Sequence, residues 1–402
     1  MKLVRLKDCC TIKPPKSEAK KLLGASDLIS FVPMSNLGID TPDILLEENK
    51  QLSQVANSYT YFAENDVLLA KITPCFENGK LGIAKGLTNG VGFGSSEFIV
   101  FRTNEELLPE YLYYFLLRPT FRERGQKLMT GAVGHKRIPK EFIENIEVPL
   151  PTVDEQRRIV AILKQSLADI LRAKLSAKRN LKNTQELFNS YLHQIFTEIK
   201  KGNIQVNLGE IAEVSSGGTP KKTNKEFWQG DIPWYSSGEL NKTFTIDPKE
   251  KITEAGLAGS NAKLFPKGSL LIGMYDTAAL KMSILDREGT FNQAICGVKP
   301  NGKINLEFVL HSINFIKPDL LKLRRGVRQK NLNQSKIKDI PLFFPNLEKQ
   351  DEVVAELRNL ESQLNDLAEI YQRKIVALDD LKKSILEKAF SGGLTNSKGA
   401  AA

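Results

Sequence analysis

The chain has little of what catalytic or membrane-bound chains usually display. No apolar run approaches the ~20 residues of a membrane span. The opening MKLVRLKDCC lacks the apolar centre of a secretory signal, so a cytoplasmic protein is expected. Cysteine is sparse: Cys9 and Cys10 are adjacent, and Cys75 and Cys296 stand alone. No Cys-x-x-Cys pair suggests zinc or redox chemistry, and there is no disulfide framework. His135, His193 and His311 are too scattered to argue a triad or a metal set. Walker A and Rossmann glycine patterns are missing. So is the Asn/Asp-Pro-Pro-Tyr/Phe pattern of amino-methyltransferases; Pro14-Pro15 stands in IKPPK, which reads as a loop. Gly90-Val-Gly-Phe-Gly94 has the wrong glycine spacing for phosphate and reads as a turn leading into a strand. Pro42-Asp43 and Glu48-Asn49-Lys50 are too close for two strands to present them as a nuclease carboxylate set. The sequence therefore predicts no catalytic residue, no metal site and no cofactor of its own.

Glycine and proline are also absent from two long stretches, Arg157 to Phe196 and Asp351 to Phe390, and these are one pattern written twice. At a constant offset of 194, Gln156 falls on Gln350, Leu163 on Leu357, Arg179 on Arg373, Leu187 on Leu381, Leu192 on Leu386 and Phe196 on Phe390. The register extends backwards through Pro151/Pro345, Ile146/Ile340, Ile143/Ile337 and Lys136/Lys330. A repeat of this length dictates the architecture. The second stretch places Val353, Leu357, Leu360, Leu364, Leu367, Tyr371, Leu378, Leu381 and Ile385 on a heptad seam, interrupted where Lys374 takes a seam position. The first has a rougher stripe: Val160, Leu163, Leu167, Ile170, Ala177, Leu181, Phe188, Tyr191, Ile195. Such seams predict coiled-coil helices. Acids at their starts and lysines at their ends suit the helix dipole.

The segments between repeat more loosely. Val206-Asn207-Leu208 mirrors Val4-Arg5-Leu6, Phe265 to Ile272 mirrors Phe62 to Leu69, Gln293 to Cys296 mirrors Glu97 to Val100, and Glu307-Phe308 mirrors Glu110-Tyr111. The expected organisation is a first globular domain over 1–152, a helix over 153–201, a second domain over 202–346, a helix over 347–392 and a tail over 393–402. A helix of about 45 residues is roughly 67 Å long, longer than a compact unit whose radius of gyration is near 14–15 Å. The second helix must then run back along the first. The predicted fold class is α+β: two α/β domains in a pseudo-two-fold arrangement, joined by two long antiparallel helices that form a coiled coil.

The net charge of +10 is uneven: +1 over 1–153, +5 over 154–201, +6 over 202–347 and −3 over 348–390. Oppositely charged helices favour each other, and a basic second domain points to a polyanion. Polar, cation-bearing loops stand at matching places before the helices, Thr130 to Arg137 and Leu323 to Leu332. Two more follow matching strands, Thr73 to Lys80 and Gly273 to Lys281. Such loops neutralise phosphates and read base edges. The candidate DNA-binding residues are Lys80, His135, Lys136 and Arg137 in the first half, and Tyr275, Lys281, Arg324, Arg325, Arg328 and Lys330 in the second.

At Ser216-Gly-Gly-Thr-Pro220, followed by Phe227-Trp228-Gln-Gly-Asp-Ile-Pro-Trp234, the chain resembles the DNA-specificity subunits of type I restriction–modification systems. Phe265-Pro-Lys-Gly-Ser-Leu-Leu-Ile272, Asn292-Gln-Ala-Ile-Cys296 and Ile340-Pro-Leu with Pro345 and Gln350 are also family-like. The first half departs, reading Thr-Ile-Lys-Pro-Pro after Cys10. The resemblance covers essentially the whole chain. It implies a non-catalytic subunit with two target-recognition domains, each reading one half of a split site in double-stranded DNA. It implies helices that act as spacer and docking surface for two methyltransferase subunits, which carry S-adenosylmethionine. With ATP-dependent restriction subunits added, such a complex cuts DNA. The rival reading is a coiled-coil scaffold that bridges partner proteins without reading DNA.

Overall fold

The computed structural model describes residues 2–275, 278–325 and 332–394, with the side chains of 323–325 outside the description. The fold is α+β. The chain divides into two units: the first comprises Met1–Lys178 with Gln372–Ala402, the second Arg179–Tyr371. Each unit therefore holds a globular body and half of each long helix, Val153–Gly202 and Leu347–Phe390.

The bodies share one strand plan. In the first unit, Cys10–Ile12, Phe98–Thr103, Val67–Ala70 and Leu81–Ile83 form an antiparallel sheet in that order. In the second, Val214–Ser216, Ile295–Val298, Leu270–Gly273 and Met282–Ile284 repeat it. Val67 pairs with Phe101 and Leu270 with Val298, so the true offset there is 197. The sequence match of Gln293 to Glu97 was one residue out. Loops of unequal length hid the slip, because apolar residues are continuous through both strands.

A second sheet runs Glu48–Gln51, Leu28–Val32, Val91–Gly94, Thr60–Ala63, with its central pair parallel. Its counterpart keeps Glu250–Ile252, Trp228–Tyr235 and Thr290–Phe291, again with one parallel pair. The fourth strand is reduced to a bridge between Phe265 and Gly289. Gly90 to Gly94 is thus mostly an interior strand, not a turn. The glycines serve packing: a Cβ on Gly92 would sit 2.1 Å from the Phe62 ring, and one on Gly94 2.4 Å from the Val32 carbonyl.

In each unit the long-helix segments pack antiparallel. In the first, Ile159 and Leu163 share a core with Leu386, Ala389 and Phe390, while Lys174 pairs with Asp379. In the second, Phe196 and Ile199 pack with Val353, Val354 and Leu357. The buried seam departs from the predicted heptads. Leu367 and Leu381 are exposed, and Ile375 is buried where Lys374 was expected to interrupt. From Leu360 the buried or half-buried apolar positions run Leu364, Ala368, Tyr371, Ile375, Leu378, then Ile385 and Leu386. Two consecutive spacings of four, Leu360 to Leu364 and Leu364 to Ala368, shift the stripe, as a stutter does in a coiled coil.

The invariant register at Gln156 and Gln350 has a structural cause. Each is buried at the start of a long helix. Gln156 Nε2 donates to Glu106 O (2.7 Å) and Pro151 O (3.0 Å), and its Oε1 accepts from Leu108 N. Gln350 Nε2 donates to Pro345 O (2.9 Å), and its Oε1 accepts from Asn305 N. Both hooks tie a helix to the turn before the body's main helix, satisfying backbone groups that burial would otherwise strand.

Candidate nucleic-acid interface

Four loops meet at one end of the first sheet in each unit, and the same backbone bonds hold three of them. In the first unit Lys71 N donates to Glu97 O (2.9 Å), and Ile138 N donates to Lys71 O (3.0 Å). In the second, Met274 N donates to Ala294 O (2.9 Å), and Leu332 N donates to Met274 O (3.1 Å). The loop after the central strand, the turn before its neighbour and the loop before the long helix are thereby locked together twice. The edge-strand loop joins them by a different bond in each unit: Lys13 N donates to Val100 O, and Gly217 N, at the place of Pro15, to Ile295 O.

On this shared frame the side chains differ. In the first unit, Thr130 and Arg137 exchange backbone hydrogen bonds and close a loop whose Gly131 (φ 126°) and Gly134 (φ 79°) adopt conformations that favour glycine. His135, Lys136 and Arg137 are exposed on it. Arg137 is not a free cation. Its Nε and Nη2 donate to the two carboxylate oxygens of Glu97 (3.0 and 2.8 Å), and its Nη1 donates to His135 O (3.1 Å). That hydrogen bonding holds the Glu97 carboxyl below the usual carboxylate range. Lys71 stands 3.9 Å from Glu97 and donates to Ser96 O. Burial lowers the pKa of the Lys71 amine, Glu97 offsets part of this, and Lys13 and Arg137 press it further down. Burial also lowers Lys16, with Lys13 and Lys20 adding to the shift. One carboxylate thus sits among several mutually repelling cations, a surface that favours an anion.

Lys80 is turned inward: half-buried, it donates from Nζ to Met34 O (2.6 Å). Sequence reasoning missed Lys71, Lys13 and Glu97. Their signal was weak, since only the fold brings residues so far apart in sequence to one loop cluster.

In the second unit Tyr275 is half-buried against the core, and Lys281 Nζ donates to Asn241 Oδ1 (3.1 Å). The stretch from Leu323 was expected to be a loop, but the backbone of Arg324 and Arg325 completes the helix Leu306–Arg325. Leu, Lys and Arg are good helix formers and carry the helix through Arg325. Arg328 and Lys330 lie outside the described residues. The most family-like motif turns out to be packing. A Cβ on Gly217 would sit 2.2 Å from Phe291 O, and one on Gly218 2.2 Å from the Asn261 carbonyl carbon. Trp234 Nε1 donates to Gly218 O (3.0 Å), Trp228 meets Trp234 edge-on, and Lys222 lies 4.1 Å from the centre of the Trp228 ring. Among the described residues no cluster of ligating side chains could hold a metal ion, and no helix is long and apolar enough to cross a membrane.

Two α+β bodies on one strand plan, each presenting a loop cluster on the same frame with different chemistry, define a protein with a duplicated domain. The family model for the type I restriction modification DNA specificity domain matches residues 1–178 and again 200–376. The chain belongs to that family. It is 30% identical over 288 residues to the EcoR124I/EcoR124II specificity subunit of Escherichia coli, covering 68% of each chain. It is 44% identical over 133 residues to the EcoEI specificity subunit and 36% identical over 190 residues to the EcoAI specificity subunit, both of E. coli. Those two matches span 33% and 46% of this chain, and only 22% and 30% of those proteins' own length. The fold is that of the HsdS subunit from Thermoanaerobacter tengcongensis (TM-score 0.71, 19% identity, 98% of this chain and 97% of that one). It also matches a chain solved in work on assembly and conformational transition of the type I R-M system (TM-score 0.79, 20% identity, 98% of each).

Proposed function

We propose that this chain is the DNA-reading subunit of a type I restriction–modification complex. Each unit's loop cluster reads one half of a bipartite site in double-stranded DNA. The observation that carries this reading is the frame built twice from the same backbone bonds and dressed with different side chains: Lys71, Glu97 and Arg137 against Met274 and Ala294. A scaffold that only bridged proteins would have no need for two such clusters. The chain itself is non-catalytic and holds no cofactor. Two methyltransferase subunits dock on it and bring S-adenosylmethionine, and ATP-dependent restriction subunits join where cleavage occurs. The exposed Leu171 and Leu175, one turn apart on the first long helix, suit a docking surface. The work of the complex places the protein in the cytoplasm.

The test is to express the chain with its methyltransferase and map methylated adenines. The expected result is one bipartite sequence with a fixed gap. Methylation of the same sequence by the methyltransferase alone, or the absence of any selected sequence, contradicts the reading.

A further inference from the structure

The guanidinium group of Arg137 is held in a way that fixes what it can still do. A guanidinium has five N–H donors in one plane. Glu97 takes one from Nε and one from Nη2, and His135 O takes one from Nη1. Two donors remain, one on each terminal nitrogen. The carboxylate fills the Nε side of the plane, so the free N–H of Nη2 points out of the tip of the fork, where an N–H of Nη1 can lie parallel to it. A parallel pair of donors matches the N7 and O6 acceptors of guanine in the major groove. The loop beneath is equally fixed: Thr130 and Arg137 exchange backbone bonds, and Thr73 N donates to Lys136 O (3.0 Å). The Arg137 side chain is nonetheless 47% exposed, so its tip is open to a ligand.

We infer that Arg137 reads a guanine end-on in the first half-site, and that Glu97 is the positioning residue that holds it. The inference rests on the DNA-reading function proposed above and names its chemistry at one point. Glu97 makes no base contact. It converts a flexible side chain into a rigid one, so less rotational freedom is lost when the base is bound. Lys71, beside the same carboxylate, and Lys13, near Lys71, keep the neighbourhood cationic and suit the flanking phosphates. In sequence the positions of the second unit that match Lys71, Glu97 and Arg137 carry none of these three side chains. Its frame carries Met274 and Ala294, and Asn331 precedes Leu332 where Arg137 precedes Ile138. The two half-sites are therefore read by different chemistry, and the guanine assigned here belongs to the first alone.

The experiment uses the full chain in complex with its methyltransferase. Methylated adenines are mapped for the parent, which defines the site. Affinities are then measured for duplexes changed one base pair at a time, with the parent, Arg137→Ala and Glu97→Gln. For Arg137→Ala, preference for one guanine of one half-site should fall by roughly tenfold to a hundredfold, with the other half-site unaltered. Glu97→Gln should weaken the same position by less, and no other. Retained reading of the other half-site shows in the same molecule that the variant is folded. Uniform weakening of all duplexes by Arg137→Ala, with the salt slope reduced by about one, would mean a phosphate contact and overturn the guanine assignment. A Glu97→Gln complex that selects like the parent, or loses affinity for every duplex alike, overturns the positioning role. A parent complex that selects no sequence overturns the DNA-reading function itself, and this inference with it.

Discussion

The two recognition surfaces differ where they are exposed and agree where they are bonded. Ile138, Lys71 and Glu97 are linked as Leu332, Met274 and Ala294 are, through main-chain groups. At the edge strand, Ile12 opposite Phe101 corresponds to Val214 opposite Val298, so Gly217 and Gly218 stand where the first unit has Pro15 and Lys16. Main-chain bonds do not depend on side-chain identity, so the frame survives while its surface changes. The first unit carries ion pairs and spare cations there; the second carries a tight glycine turn against a tryptophan cluster. Duplication followed by such divergence gives two surfaces of different chemistry on one plan, which under the proposed function are two readers.

The largest expected effect breaks the second surface from below. Gly218→Ala brings a Cβ to 2.2 Å from main-chain Asn261, which cannot move like a side chain tip. It should cost about 3 kcal/mol or more, above the usual range for overpacking. Both tryptophans, Trp228 and Trp234, lie in the second unit, so their fluorescence reports its unfolding alone. An unchanged transition would show that the signature glycines are not packed as described.

A second contrast is in pH response. His311 is buried on the body's main helix beside Phe188, with Glu307 and Arg358 nearby, and its Nδ1 has no hydrogen-bond partner. Burial pushes it from 6.5 down to about 4; Glu307 opposes the shift and Arg358 adds to it. Between those values the unfolded chain takes up a proton that the folded unit does not. Stability from this group is complete above about pH 6.5 and is lost as pH falls towards 4, at most about 3 kcal/mol. The first unit has Tyr114 at this place and no such response. In His311→Leu, the tryptophan-detected transition should lose that part of its acid sensitivity. Equal acid sensitivity in parent and variant would place the histidine's proton uptake elsewhere.

The helix hooks sharpen the agreement rather than the difference. Gln156→Ala removes three part-buried hydrogen bonds to main-chain groups and Gln350→Ala two. Each should destabilise by about 1–3 kcal/mol, with Gln156→Ala the larger. Denaturant midpoints read this directly, and a change under about 0.5 kcal/mol for either, the ordinary range of surface substitutions, would remove the hook's importance.

The repeat, the long helices and the main strands were legible in sequence because apolar periodicity and a gap-free offset record them. Gln156 over Gln350 was visible as a coincidence of letters, and only the fold shows what both bind. The seam beyond Leu364 was misread because Leu367 and Leu381 look like core and are exposed, while Ile375 lies one residue past the expected position. The candidate surface was half legible. Thr130 to Arg137 shows as a basic glycine loop, but the carboxylate that orients Arg137 is 40 residues earlier in the chain. Lys80 looked equivalent to its neighbours and is turned inward on a carbonyl.

The central claim is that each unit reads its own half of the site. It is tested by methylated-adenine maps of two variants expressed with the methyltransferase: Lys136→Ala with Arg137→Ala in one, and Tyr275→Ala with Lys281→Ala in the other. The account predicts that the first changes or relaxes bases in one half-site only, the second in the other half-site only, with the gap constant in both. Changes in both halves from one variant, or a changed gap with the same bases, would contradict it.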